Sequence, residues 1–323
     1  MRALGIAPAI ALALSASPAL AADCDRACLD GVADRYLAAL AAKDASSLPL
    51  ATDVVFSENL VPLTIGRAGL WRTISGRRDF AIRASDPELG NANWMGIVEE
   101  NGKPVFLALR AHVAKGGRID EVETLVGRSP LDNAANAPPP RAIFTEVEPA
   151  ATRRTRDQLT AIVDAHWTGM ETGRPVAANY APYCARFDNG VATTGTEPAP
   201  RPGAATKTSG GTAAPVNIGK MGCYDQLASG LFANGHRVDP RRVWGVDVER
   251  GLVIGLYTPN VPGDVPRVTI FGRETPVGPM ERAPFTITQI ELFKIRDGRI
   301  AAVEVVFGPS VPFGMRSPFD RSR

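Results

Sequence analysis

"RYLAALAAKDASSLPLATDVVFSENL", residues 35–60, lies without a gap over "AHWTGMETGRPVAANYAPYCARFDNG", residues 165–190. Each copy runs from an amphipathic stretch through strand-like residues into an acid followed by asparagine: Glu58-Asn59 and Asp188-Asn189, 130 positions apart. "DPELG" from Asp86 repeats as "DVERG" from Asp247, and "GRIDEVETLVG" from Gly117 as "GRIAAVEVVFG" from Gly298. One plan is written twice, and insertions shift its register between copies.

Each copy predicts a helix first. Leu29, Val32, Tyr36 and Leu40 share one helical face, as do Leu159, Ile162, Val163, His166 and Met170. "PVFLALRAHV", "RIDEVETLV", "TITQIELFKI" and "RIAAVEVVF" alternate with period two and read as strands. Helices followed by antiparallel strands make an α+β class. The expected division is a first domain at 22–128, a linker with three consecutive prolines at 129–153, and a second domain at 154–323. Residues 191–222 lack apolar periodicity and are rich in Gly, Pro, Ala and Thr, so a disordered insert is expected there.

The chain of 323 residues carries 36 basic and 34 acidic side chains, a net charge of +2, which gives no long-range field for nucleic acid or an anionic membrane. Residues 1–21 combine one arginine with a short apolar run ending in Ala-Leu-Ala, the pattern of a cleaved secretory signal. A periplasmic or extracellular protein with no membrane contact after cleavage follows. Export makes the four cysteines readable as disulfides with three possible connectivities. The local pairs Cys24–Cys28 and Cys184–Cys223 are favoured over free buried thiols.

The stretch "AAKDASSLPLATDVVFSENLVPLTIGRAGLW" and the meander after it resemble the nuclear-transport-factor-two-like, SnoaL-like superfamily. The close, "LFKIRDGRIAAVEVVFGPSVPFGMRSPF", is similar to that of secreted bacterial and fungal proteins of this group whose function is not known. The resemblance covers nearly the whole mature chain. It implies two tandem cone-shaped domains, in each of which N-terminal helices pack on a curved antiparallel sheet around a pocket, and whose sheets pack together as a pseudo-dimer. The superfamily includes dehydratases, isomerases, epoxide hydrolases, cyclases and non-catalytic binders, so it specifies a fold and not an activity.

Turn chemistry supplies a register for the C-terminal hairpin. With Asp297-Gly298 as a type I′ turn, Arg296 faces Arg299 and Glu291 faces Glu304. Two carboxyls opposed on an apolar wall repel each other, so one holds a proton near neutrality, the arrangement that acid/base catalysis needs. If the strand faced solvent, both would simply be solvated. In the first copy Glu123 faces Arg110 and is neutralised, which marks that domain as a degenerate scaffold. His166 occurs on the helix face where the first copy has Tyr36. It is a core residue, a further proton-transfer group, or one ligand of a metal held with Glu291 and Glu304, the lesser possibility; the superfamily's dehydratases use a histidine as base. Asp188, Asn189, Tyr180, Tyr183, Arg186 and Trp244 complete the expected ligand contacts; a turn explains Asn189 without function.

No GxSxG, HExxH, P-loop or dinucleotide fingerprint is present. The expected protein is an exported lyase or isomerase without cofactor or resident metal, acting on a small apolar or hydroxylated molecule through Glu304, Glu291 and His166. The alternative is a periplasmic module that binds a small ligand or a protein without reacting it.

Overall fold

The computed structural model describes residues 24–128, 132–195, 207–209, 212–214, 218–233 and 235–320. The expected signal segment, 1–21, and parts of the 191–222 insert lie outside them. The molecule is mixed α/β and mostly sheet.

The N-terminal half opens with helix α1, Arg26–Ala42, capped by Asp25, whose carboxylate accepts from the Cys28 amide. Strands β1 (Leu50–Glu58) and β2 (Val61–Leu63) follow, then the short helix α2 (Leu70–Thr73). A meander of β3 (Ile74–Arg83), β4 (Asn91–Glu100), β5 (Lys103–Val113) and β6 (Ile119–Val126) closes the half. The six strands form one sheet in the order β2-β1-β6-β5-β4-β3. Leu29, Val32, Tyr36 and Leu40 of α1 are buried against Trp94, Val98, Leu107 and Val122 on one face of it.

The C-terminal half repeats the order. Helix α3, Arg156–Thr172, starts in a capping box between Thr155 and Gln158 and stops at Gly173, whose φ of 64° suits a residue without Cβ. Next come β7 (Tyr180–Asp188), β8 (Val191–Ala192), the pair β9 (Lys207–Ser209) and β10 (Thr212–Ala214), and helix α4 (Cys223–Ala228). Strands β11 (Arg237–Asp247) and β12 (Leu252–Val261) precede the small hairpin β13 (Arg267–Ile270) and β14 (Arg273–Pro276). Strands β15 (Phe285–Thr286), β16 (Gln289–Arg296), β17 (Arg299–Phe307) and β18 (Val311–Pro312) end the half. Its main sheet runs β18-β15-β12-β16-β17-β7-β8, with β11 on β12. Leu159, Val163 and Trp167 of α3 pack on Tyr257, Phe293 and Val303.

The faces turned away from the helices meet. Met95, Ile97, Phe106 and Ala108 of the first sheet form one buried cluster with Leu252, Ile254, Ile290, Leu292 and Trp244 of the second. The halves also exchange ion pairs. Arg26, the first residue of α1, reaches Asp247 and Glu249, while Arg156, the first residue of α3, reaches Asp86 and Glu88.

Two expectations are corrected. Neither sheet is purely antiparallel: β1 lies parallel to β6, and β7 to β17. Parallel neighbours need a long connection, and everything between β1 and β6 supplies it. The insert is not wholly structureless among the described residues, because it contains β8, β9 and β10. Its start is held by hydrogen bonds, with the Arg186 amide donating to Thr194 Oγ1 and the Thr193 amide to the Arg186 carbonyl. Its end is held by the Cys184–Cys223 disulfide. The Cys24–Cys28 bond is also present.

The repeated acid-asparagine corner is a clasp. Asn59-Leu60 and Asn189-Gly190 all have φ between 44° and 79°, so each pair turns the chain tightly into the next strand. Asn59 Oδ1 then accepts from the Val126 amide and Asn189 Oδ1 from the Phe307 amide, both at 2.8 Å. In each copy the asparagine pins the corner to the end of the parallel strand beside it.

Candidate functional site

The hairpin β16–β17 turns at Asp297-Gly298 with both φ values positive, and Arg296 faces Arg299 as expected. One residue later the ladder slips: Ile295 faces Ile300 but Lys294 faces Ala302, leaving Ala301 as a bulge. Beyond it Leu292 faces Glu304 and Glu291 faces Val305. The expected Glu291–Glu304 pair therefore does not exist. A one-residue slip sends the two side chains to opposite faces of the sheet.

Glu304 shares its face with Ala302 and Val306, among the residues between the sheets. Arg141, from the segment joining the halves, donates to its carboxylate at 2.7 Å and lies over the rings of Phe144 and Phe187. Burial pushes the Glu304 carboxyl up to about 7, with Arg141 opposing. It does not line the cavity described below. Its counterpart Glu123 faces Arg110 in register and is held more closely by Arg242, with contacts of 2.7 and 2.8 Å. Burial opposes its ionisation, yet Arg242 and Arg110 outweigh that and keep the carboxyl below its ordinary range.

Glu291 faces α3. Its carboxylate is fully buried, 2.6 Å from Arg186 Nη1, and Arg186 Nε lies 2.7 Å from Asp188. Arg186 and Asp188 are alternate residues of β7 and share a face; Glu291 reaches them from β16, two strands away. These are ion pairs by distance, but neither Glu291 oxygen nor Asp188 Oδ1 meets a donor at hydrogen-bonding angles among the described residues. Burial lifts Glu291 to about 7, Arg186 opposing and Asp188 adding to the rise. Burial raises Asp188 as well, against the pull of Arg186.

A cavity of about 410 Å³ opens between α3, α4 and the sheet, lined by His166, Arg186 and Asp188 among mainly apolar side chains such as Trp167, Leu227 and Phe232. His166 is buried edge-on to Trp167 and Phe293, and its Nδ1 lies 3.0 Å from the Tyr180 hydroxyl. Burial, aided by the charges of Arg186 and Arg241, lowers its pKa to about 3, so the ring is neutral across the ordinary pH range.

The remaining expected contacts disperse. Tyr180 stands behind His166 and not on the cavity wall, and Tyr183 is 78% exposed. Asn189 is the clasp of the corner. Trp244 is buried between the sheets, where its carbonyl accepts from Asn91 and Asn93. A three-ligand set of His166, Glu291 and Glu304 is not assembled.

Thr193, Gln226, His236 and Gln289 also line the cavity and are absent from the sequence expectations. His236 was open to notice as one of three histidines. Its Nδ1 lies 3.1 Å from the Phe232 carbonyl, which only accepts, so that nitrogen carries the proton. The other three, Thr193 just after β8, Gln226 on α4 and Gln289 on β16, carry no chemical signature in the sequence.

No curated protein matches the chain. Its residues 152–307, which begin just before α3 and end on the last residue of β17, match the model of a family described as a domain of unknown function, DUF8021.

Proposed function

We propose that the C-terminal half carries out cofactor-independent acid/base chemistry, as elimination, dehydration or isomerisation, on a small apolar or hydroxylated molecule held in the cavity. The observation that carries this is a single guanidinium, Arg186, set between two carboxyls, the fully buried Glu291 and the partly buried Asp188. One cation cannot offset two anions in a medium of low dielectric, so the cluster retains a proton near neutral pH. Asp188 lines the cavity and is the group that exchanges a proton with substrate; Glu291, behind Arg186, stores it. His166 adds a neutral polar contact, and the apolar walls set the substrate class.

The N-terminal half serves as scaffold in this proposal. Its equivalents of His166 and Asp188 are internally occupied: the Tyr36 hydroxyl accepts from the Trp71 indole, and Glu58 accepts from the Leu70 amide and pairs with Arg128 at 2.7 Å. The helix-first order of both halves and the reciprocal ion pairs support two tandem SnoaL-like, cone-shaped domains joined as a pseudo-dimer. Two disulfides support export. Among the described residues no helix is long and apolar enough to cross a membrane.

That both carboxyls stand beside Arg186 favours a second proposal, a ligand-binding module in which the cluster only orients its guest. Wild type and Asp188→Asn, offered a panel of hydroxylated aromatic, terpenoid and sugar-derived compounds, separate the two. Turnover that falls at least about a hundredfold in the variant supports catalysis. Binding without turnover in wild type supports the module, and equal turnover by both proteins removes Asp188 from the chemistry.

A further inference from the structure

Tyr180 is 6% exposed, and the partner of its hydroxyl among the described residues is His166 Nδ1, 3.0 Å away. That contact holds one proton. If Nδ1 carried it, the phenol's own hydrogen would be buried without an acceptor, at a cost of about 1–3 kcal/mol. If the phenol donates, the hydroxyl hydrogen and Nδ1 are both paired, and the ring's other nitrogen is left to face the cavity. The imidazole is neutral, so its remaining proton must then sit on Nε2. His166 lines the cavity, and Nε2 has no hydrogen-bond partner among the described residues.

We infer that Tyr180 is a positioning residue that holds His166 in the tautomer with its proton on Nε2, so that the imidazole meets a ligand as a neutral hydrogen-bond donor and not as a base. The cavity then selects molecules that carry a carbonyl or ether oxygen. This rests on the cavity being the ligand site. It divides the labour there, with Asp188 taking or returning the proton while His166 stabilises charge that develops on the ligand oxygen.

Long-range proton–nitrogen NMR on the ring nitrogens of wild-type protein reads the tautomer directly, with His112 and His236 separated by single substitutions. A bare Nδ1 and a protonated Nε2 on His166 are expected, and Tyr180→Phe is expected to give a mixture of tautomers. A protonated Nδ1 in wild type overturns the inference. Acetophenone and isopropylbenzene, matched in shape but not in acceptor oxygen, test the consequence by calorimetry. Wild type is expected to bind acetophenone about tenfold more tightly, and Tyr180→Phe to narrow that ratio. Equal affinity in wild type overturns the donor role while leaving the cavity as a ligand site. Binding of neither compound overturns the ligand site, and the donor role with it.

Discussion

Arg156 sets two guanidinium nitrogens against the two carboxylate oxygens of Asp86, at 2.7 and 2.9 Å. Asp86 is fully buried and accepts from the Val246 amide as well, so one side chain ties the start of α3 and the end of β11 to the first half. Removing it takes the acceptor from both Nη atoms of Arg156, whose Nε keeps Glu88, and from the Val246 amide. Asp86→Ala is expected to lower the unfolding free energy by about 3 kcal/mol or more. Arg26→Ala, at the mirrored and more exposed pair, is expected to cost about 1 kcal/mol. Urea unfolding measures both, and an unchanged midpoint for Asp86→Ala would contradict the assignment.

Glu304 gives a pH signature. Its folded pKa, raised to about 7, exceeds the ordinary 4.5, so the folded state binds more protons than the unfolded chain between those values. Its contribution to stability is therefore present below about 4.5 and declines as pH rises through 7. Glu304→Gln cannot titrate. The stability difference, variant minus wild type, is expected to grow from pH 4.5 to 7 and level off above, as read by unfolding at a series of pH values. A flat difference would mean that Arg141 fully offsets the burial.

The Cys184–Cys223 bond joins β7 to α4, which forms one wall of the cavity. It closes a loop of sequence separation 39, for which chain entropy predicts a loss of about 4 kcal/mol in Cys184→Ser/Cys223→Ser. Loss of ligand binding is expected at temperatures where the circular dichroism of the sheets is still intact. Binding that survives with wild-type affinity would show that α4 holds its place without the bond.

What the sequence makes legible follows from local rules. The apolar faces of α1 and α3, the turn at Asp297-Gly298 and the asparagine corners depend on residues within a few positions of one another. The bulge at Ala301 does not: nothing in "RIAAVEVVF" marks which residue drops out of the ladder, yet that slip decides which face each glutamate occupies. The guanidinium partners were hidden for another reason. Arg141 reaches Glu304 from the segment joining the halves, 163 residues away, and Arg186 reaches Glu291 across two strands, so neither pair shows in strand alternation. Arg186 and Asp188 are among the ligand contacts expected from the sequence, but their link to Glu291 depends on the sheet order.

In the proposed mechanism Asp188, Arg186 and Glu291 together keep a proton near neutrality. Carbon-13 NMR of the two side-chain carboxyls, followed from pH 3 to 9, tests it most directly. A carboxyl titration with its midpoint near 7, absent in Glu291→Gln, is the predicted result. Two carboxyls that both finish ionising below pH 5 would contradict it.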